Sequence, residues 1–99
     1  TTVCRMARQD SSMVVKSVEA FVTKDVQLAQ SVAKMDDQVD ADFSSTKQAL
    51  IAAVAREPQQ GEVALDLLMI AKYLERIGDH AVNLSEWVEF AATGVHKNS

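Results

Sequence analysis

The sequence predicts an all-α protein, an antiparallel three-helix bundle forming one domain over residues 1–99. Two observations carry that reading. Pro58 is the sole proline and there are three glycines in 99 residues, whereas a β-sandwich of this length needs a turn signal every few residues. Apolar residues also recur at spacings of three and four through most of the chain, the period of a helix with one buried face. A hydrophobic content of 47% supplies one core, and the length is too short for two independent ones.

The elements follow from where the pattern is punctuated. A first amphipathic run near 2–22 ends at Val22-Thr23-Lys24-Asp25, where a Thr/Asp pair can cap the next helix. The second helix is then expected near 25–57, stopped by the Glu57-Pro58-Gln59-Gln60-Gly61 stretch, because proline cannot continue a helix interior. The third is expected near 61–92, with Gly94 as its stop and His96 to Ser99 as a frayed tail. At 1.5 Å per residue the two long helices would each run roughly 45–50 Å, and short connections impose up-down-up topology.

Composition excludes several function classes. Acids outnumber bases 14 to 10, for a net charge of −4, so the chain lacks the basic face that phosphate-backbone binding requires and no nucleic-acid partner is expected. No stretch approaches the roughly 20 apolar residues of a membrane span, so any membrane association would be peripheral, through partners. A lone cysteine, Cys4, cannot make an intramolecular disulfide or a cysteine-based zinc site and suits a reducing, cytoplasmic compartment. The chain opens on Thr1 rather than an initiator methionine, as expected of a processed or excised piece.

The acids carry the informative pattern. Winding the second helix at 100° per residue puts Val32, Phe43, Leu50 and Val54 within about 40° of Asp36, with Val39 in the same stripe and Asp40 one turn on from Asp36. Asp37 and Asp42 project about 100° and −120° away and read as surface. The third helix repeats the device: Glu75 and Asp79 are four apart and share a face with Ala64, Leu68, Ala71 and Val82, flanking an apolar arc of Leu67, Ile70, Leu74, Ala81 and Val88. Carboxylates at i and i+4 repel, and desolvating them costs more. Four arrangements offset this: a basic partner from another helix, protonation, interior water, or a cation held between the pairs. A flank opening to solvent removes most of the cost.

Two segments also resemble a known family. Asp36-x-x-Val39-Asp40 followed by Phe43, and Leu74-Glu75-Arg76-Ile77-Gly78-Asp79 followed by Asn83, resemble the paired acidic motifs of the PhoU family of phosphate-uptake regulators. The resemblance runs from about Met13, through Ala20, Phe21, Asp25 and Ala29, to Gly94. Family members look like two tandem three-helix repeats, and this chain is similar to one, most like the C-terminal repeat. The resemblance implies a non-enzymatic regulator of phosphate uptake and phosphate-starvation signalling, an adaptor between a phosphate ABC transporter and a sensor histidine kinase. It implies metal ligation by Asp36, Asp40, Glu75 and Asp79, with Asn83 as a supporting group and iron, zinc, manganese or magnesium as the ion. Carboxylate-only ligation by itself favours the harder cations.

Other residues read plainly. Gly78 inside a helix costs about 1 kcal/mol relative to alanine, which points to a close approach beside Asp79. Arg76, His80 and His96 read as surface groups, Cys4 has no catalytic partner in sequence, and Met6, Met13, Met35, Trp87 and Phe90 suit a core or a dimer seam. One repeat of a two-repeat family is expected to cover its apolar face by forming a homodimer. Two other functions fit the residues: a metal-dependent hydrolase with a carboxylate-bridged site, and a plain helical scaffold or interaction domain.

Overall fold

In a computed structural model, residues 1–93 are described. Three helices, α1 (Thr2–Thr23), α2 (Val26–Arg56) and α3 (Gly61–Thr93), are joined by a tight turn and by a 3₁₀ turn at Pro58–Gln60. Each boundary has a local cause. Thr1 caps α1 by accepting from the Cys4 amide, and Asp25 caps α2 by accepting from the Leu28 amide at 3.0 Å. Between them Lys24 adopts the left-handed conformation at φ 58° and donates its amide to the Ala20 carbonyl, reversing the chain without a glycine. Asp25 is thus the cap rather than the first residue of α2, and Glu57 closes that helix on the Ala53 carbonyl before Pro58. The expected stop at Gly94 and the tail containing His96 lie outside the described residues.

Side-chain contacts fix the helix directions. Arg5 meets Asp42 and Lys16 meets Met35, so α1 and α2 run antiparallel. Asp10 lies beside Gly78, and Ser17 beside Ala81, so α1 and α3 run parallel. The bundle extends 52 Å along its axis.

The core is a seam of Met6, Met13, Val32, Val39, Ala71 and Ala81, with Met35, Phe43, Leu74 and Val82 packed on it, continued by Ala20, Ala29 and Val88 toward the α1–α2 turn. Four of the buried positions of α3, Ala64, Ala71, Gly78 and Ser85, recur every seventh residue and are all small. Ser17 Oγ lies 2.8 Å from the Met13 carbonyl and 3.0 Å from that of Ala81, so this buried hydroxyl is satisfied by backbone.

Expectations about burial are corrected at three places. Leu67 and Ile70 are 37% and 48% exposed. Leu67 lines a hollow with Thr1, Thr2 and Val3, so the start of α3 and the end of α2 extend beyond the start of α1, which is nine residues shorter than α2. Asp42 is buried at 2% exposure. Arg5 donates to it through Nε at 3.0 Å and Nη2 at 2.5 Å, and Gln38 adds a third bond at 2.9 Å. An α2 residue faces two neighbours, and the side of α2 that turns from α3 turns toward α1. Trp87 is 54% exposed and stacks on Phe90 with centroids 5.5 Å apart, so it lies on the surface.

Candidate functional site

The acidic pairs of α2 and α3 meet along the groove between those helices. The buried residues of α2, Ala29, Val32, Val39, Asp42 and Thr46, centre about 60° to one side of Asp36 on a helical projection. Asp36 therefore sits at the edge of the buried arc, half-buried, and Asp40 lies past that edge in solvent. Asp79 is likewise exposed, one residue beyond the buried Gly78. One carboxylate oxygen from each of Asp36, Asp40 and Asp79 lies within 4.8 Å of the others. Oxygens bound to a common cation at about 2.0–2.6 Å stand up to roughly 5 Å apart, so these three fit a single ion.

Glu75 is adjacent but differently engaged. Lys72 Nζ donates to its Oε1 at 2.7 Å and lies 5.2 Å from the centre of the Phe43 ring. Asn83 is exposed one turn beyond Asp79, and Arg76 and His80 are exposed as expected.

Gly78 leaves space on the inner side of the groove. A Cβ built there would stand 2.7 Å from Asp36 Oδ1 and 3.2 Å from Asp10 Oδ1, so the glycine makes room for two carboxylates from two other helices. Asp10 of α1 is the residue the sequence reading missed. It is 3% exposed and neither of its oxygens has a hydrogen-bond partner. Its spacing from Met6, Met13 and Ser17 puts it on the buried face of α1, and that was the available signal.

The electrostatics follow from this crowding. Burial, then the charge of Asp79, pushes the Asp10 carboxyl up to about 6. Burial, then Asp40 and Asp79, pushes Asp36 up to about 6 as well. Asp40 is raised by burial and by Asp79 and Glu75, against a smaller opposing effect of Lys72. Asp42 behaves oppositely, because its hydrogen bond from Arg5 holds it below the usual carboxylate range. The flank is thus strongly acidic and undercompensated.

A family model for the PhoU domain matches residues 3–88. The chain belongs to the PhoU family. It is 37% identical over 89 residues to a phosphate-specific transport system accessory protein PhoU homolog of Zymomonas mobilis, covering 90% of this chain and 38% of that protein. Proteins of the same description from Caulobacter vibrioides and Pseudomonas aeruginosa are 33% and 34% identical over 90 and 86 residues, covering 91% and 87% of this chain. These matches take in 39% and 36% of the two proteins, so the chain spans roughly two-fifths of the length of such relatives. The matched PhoU domain contains both acidic pairs and Asp10. Among the described residues, no helix of this domain is long and apolar enough to cross a membrane.

Proposed function

We propose that this PhoU domain acts in regulation of phosphate uptake and phosphate-starvation signalling, as a non-enzymatic, cytoplasmic adaptor between a phosphate ABC transporter and a sensor histidine kinase. The observation that carries the reading is the gathering of three of the four motif acids, Asp36, Asp40 and Asp79, on one groove of a domain whose relatives are named as phosphate-transport accessory proteins. Asp36, Asp40 and Asp79 would hold a divalent cation, iron, zinc, manganese or magnesium, with Glu75 released from Lys72 as a fourth ligand and Asn83 supporting Asp79. Bound there, a cation would supply positive charge to a groove whose carboxylates otherwise repel anions. The chain's own contribution is positioning: Gly78 leaves room for the Asp36 carboxyl group, and Lys72 balances the outer end of the groove.

The test is complementation. The chain is expressed in a bacterium deleted for its own PhoU protein and carrying a phosphate-starvation reporter, and affinity capture is run in parallel. Repression of the reporter in high phosphate, with recovery of the transporter or kinase, is expected. An unrepressed reporter with neither partner recovered overturns the adaptor reading. The metal reading has its own measurement: the melting temperature of protein purified without affinity-tag metal should rise with Mn²⁺ or Zn²⁺, and the double variant Asp36→Ala/Asp79→Ala should lose that rise.

A further inference from the structure

Among the described residues, two buried side chains, Asp10 and Thr46, have polar atoms without a hydrogen-bond partner, and of the two Asp10 carries an ionisable group. Buried Asp42 has Arg5 and Gln38, and the Ser17 and Ser85 hydroxyls reach backbone carbonyls. Asp10 is buried to the same degree as Asp42, yet both its oxygens lack a hydrogen-bond partner, and the one atom of Asp36 in the same condition, Oδ1, lies with Asp10 Oδ1 against the bare backbone of Gly78. A carboxylate removed from water without a partner is among the costlier things a small core can contain. An apolar side chain at this position, on the same buried face of α1 as Met6 and Met13, would avoid that cost. A third helix thus delivers an unpartnered carboxylate into the inner side of the α2–α3 acidic groove.

We infer that Asp10 is a further cation ligand, so that the site is built from all three helices. Asp36 is its shared member: it offers an oxygen to the group with Asp40 and Asp79, and its Oδ1 lies with Asp10 Oδ1 against Gly78. The inner ligands are two carboxylates and water, a donor set suited to a hard or borderline divalent cation such as Mn²⁺. Asp10 does not lie in the compact group formed by Asp36, Asp40 and Asp79, so it serves a second ion bridged to the first through Asp36, in the manner of carboxylate-bridged pairs whose ions stand about 3.5–4 Å apart. This inference rests on the metal reading proposed above.

The experiment uses Mn²⁺ as the probe, with calorimetric titration for stoichiometry and electron paramagnetic resonance for coupling between ions. The unsubstituted chain is expected to bind about two Mn²⁺ with a spin-coupled spectrum, and Asp10→Asn about one with an uncoupled spectrum. Asp10→Asn keeps the shape of the side chain and removes its charge. Asp10→Ser, smaller and neutral, is the second variant and should give the same loss, with helicity checked by circular dichroism for both. If the unsubstituted chain binds no Mn²⁺, Zn²⁺ or Fe²⁺, the metal reading fails and takes this inference with it. If it binds and both Asp10 variants match it in stoichiometry and spectrum, Asp10 is satisfied by a shared proton or interior water, and the inference alone is overturned.

Discussion

Gly78 of α3 lies so close to Asp36 of α2 that a methyl group in place of its hydrogen would come 2.7 Å from Asp36 Oδ1, nearer than carbon and oxygen pack. The neighbour that must yield is the end of a short side chain, and the backbones of the two helices need not part. The glycine therefore governs where Asp36 points more than whether the bundle forms.

Gly78→Ala should accordingly separate stability from cation binding. Helix propensity favours alanine by about 1 kcal/mol in a helix interior, offsetting much of the cost of turning Asp36 aside. The metal-free variant is expected to melt within a few degrees of the parent, while its affinity for Mn²⁺ falls tenfold or more, the usual scale for displacing a ligand's support. Thermal melts with and without Mn²⁺ check both halves, and a variant with undiminished affinity would show that Asp36 is not held in place by Gly78.

Met13 and Arg5 report on the fold without touching the groove. Met13 is fully buried in the core seam, and Met13→Ala should cost about 2–5 kcal/mol, as methionine truncations do when the cavity cannot collapse. Arg5→Met acts through Asp42, whose folded carboxyl is held below its ordinary value. That group's stabilisation is present above its unfolded pKa and is lost as pH falls through the lowered folded value. Removing Arg5 takes away the main cause of the lowering and leaves the weaker one, the Gln38 hydrogen bond, so the acid-unfolding midpoint of Arg5→Met should move to higher pH, as read by circular dichroism.

The three helices were legible because their periodicity is strong and their breakers few, and Gly78 was legible because a glycine in a helix interior needs a reason. Asp42 and Asp10 were not. A helical projection ranks positions against one assumed buried direction, whereas every helix of a three-helix bundle faces two neighbours. Asp42 looked solvated because the projection was centred on Asp36, which in fact marks the border of the buried arc. Asp10 sits squarely within the Met6–Met13–Ser17 face of α1, but no pattern says that an acid there meets acids from both other helices. That juxtaposition depends on the register of α1 against α3, which spacing alone does not encode.

Asp10 and Asp36 give the metal-free protein an unusual pH dependence. Their folded pKa values, about 6, lie above the ordinary 3.8, so between those values the folded state holds protons that the unfolded chain has released. Stability is then greatest on the acidic side of the window and declines as pH rises through about 6. In chelator, the melting temperature should drop by about 5 °C or more between pH 4.5 and 7.5, on the usual scale of a small domain. Asp10→Asn should flatten part of that slope, and a parent melting temperature that rises over the same range would contradict the burial of these carboxylates.

The apolar surface predicts self-association on the side away from the acids. Arg5 and Lys16 mark the side of α1 that meets α2, so Val14, Val18 and Phe21, on the opposite side of the same helix, border the α1–α3 groove. Phe21 lines a hollow there with Val88, Ala91 and Ala92. Ile70 and Ile77 border the same groove from α3, and all five of these side chains are at least 40% exposed. A contiguous strip of branched and aromatic side chains tends to be covered by another surface, and a second copy of the chain brings a strip of the same shape about a two-fold axis. The α2–α3 acidic groove would then stay open in both protomers. Sedimentation over a range of concentrations, with and without chelator, should show a monomer–dimer equilibrium indifferent to metal. Val18→Glu or Ile77→Glu, at sites already half in water, should shift it to monomer without loss of helicity. A dimer that forms only with metal would place the seam on the acidic groove instead, and a monomer at all concentrations would leave the strip to a different partner.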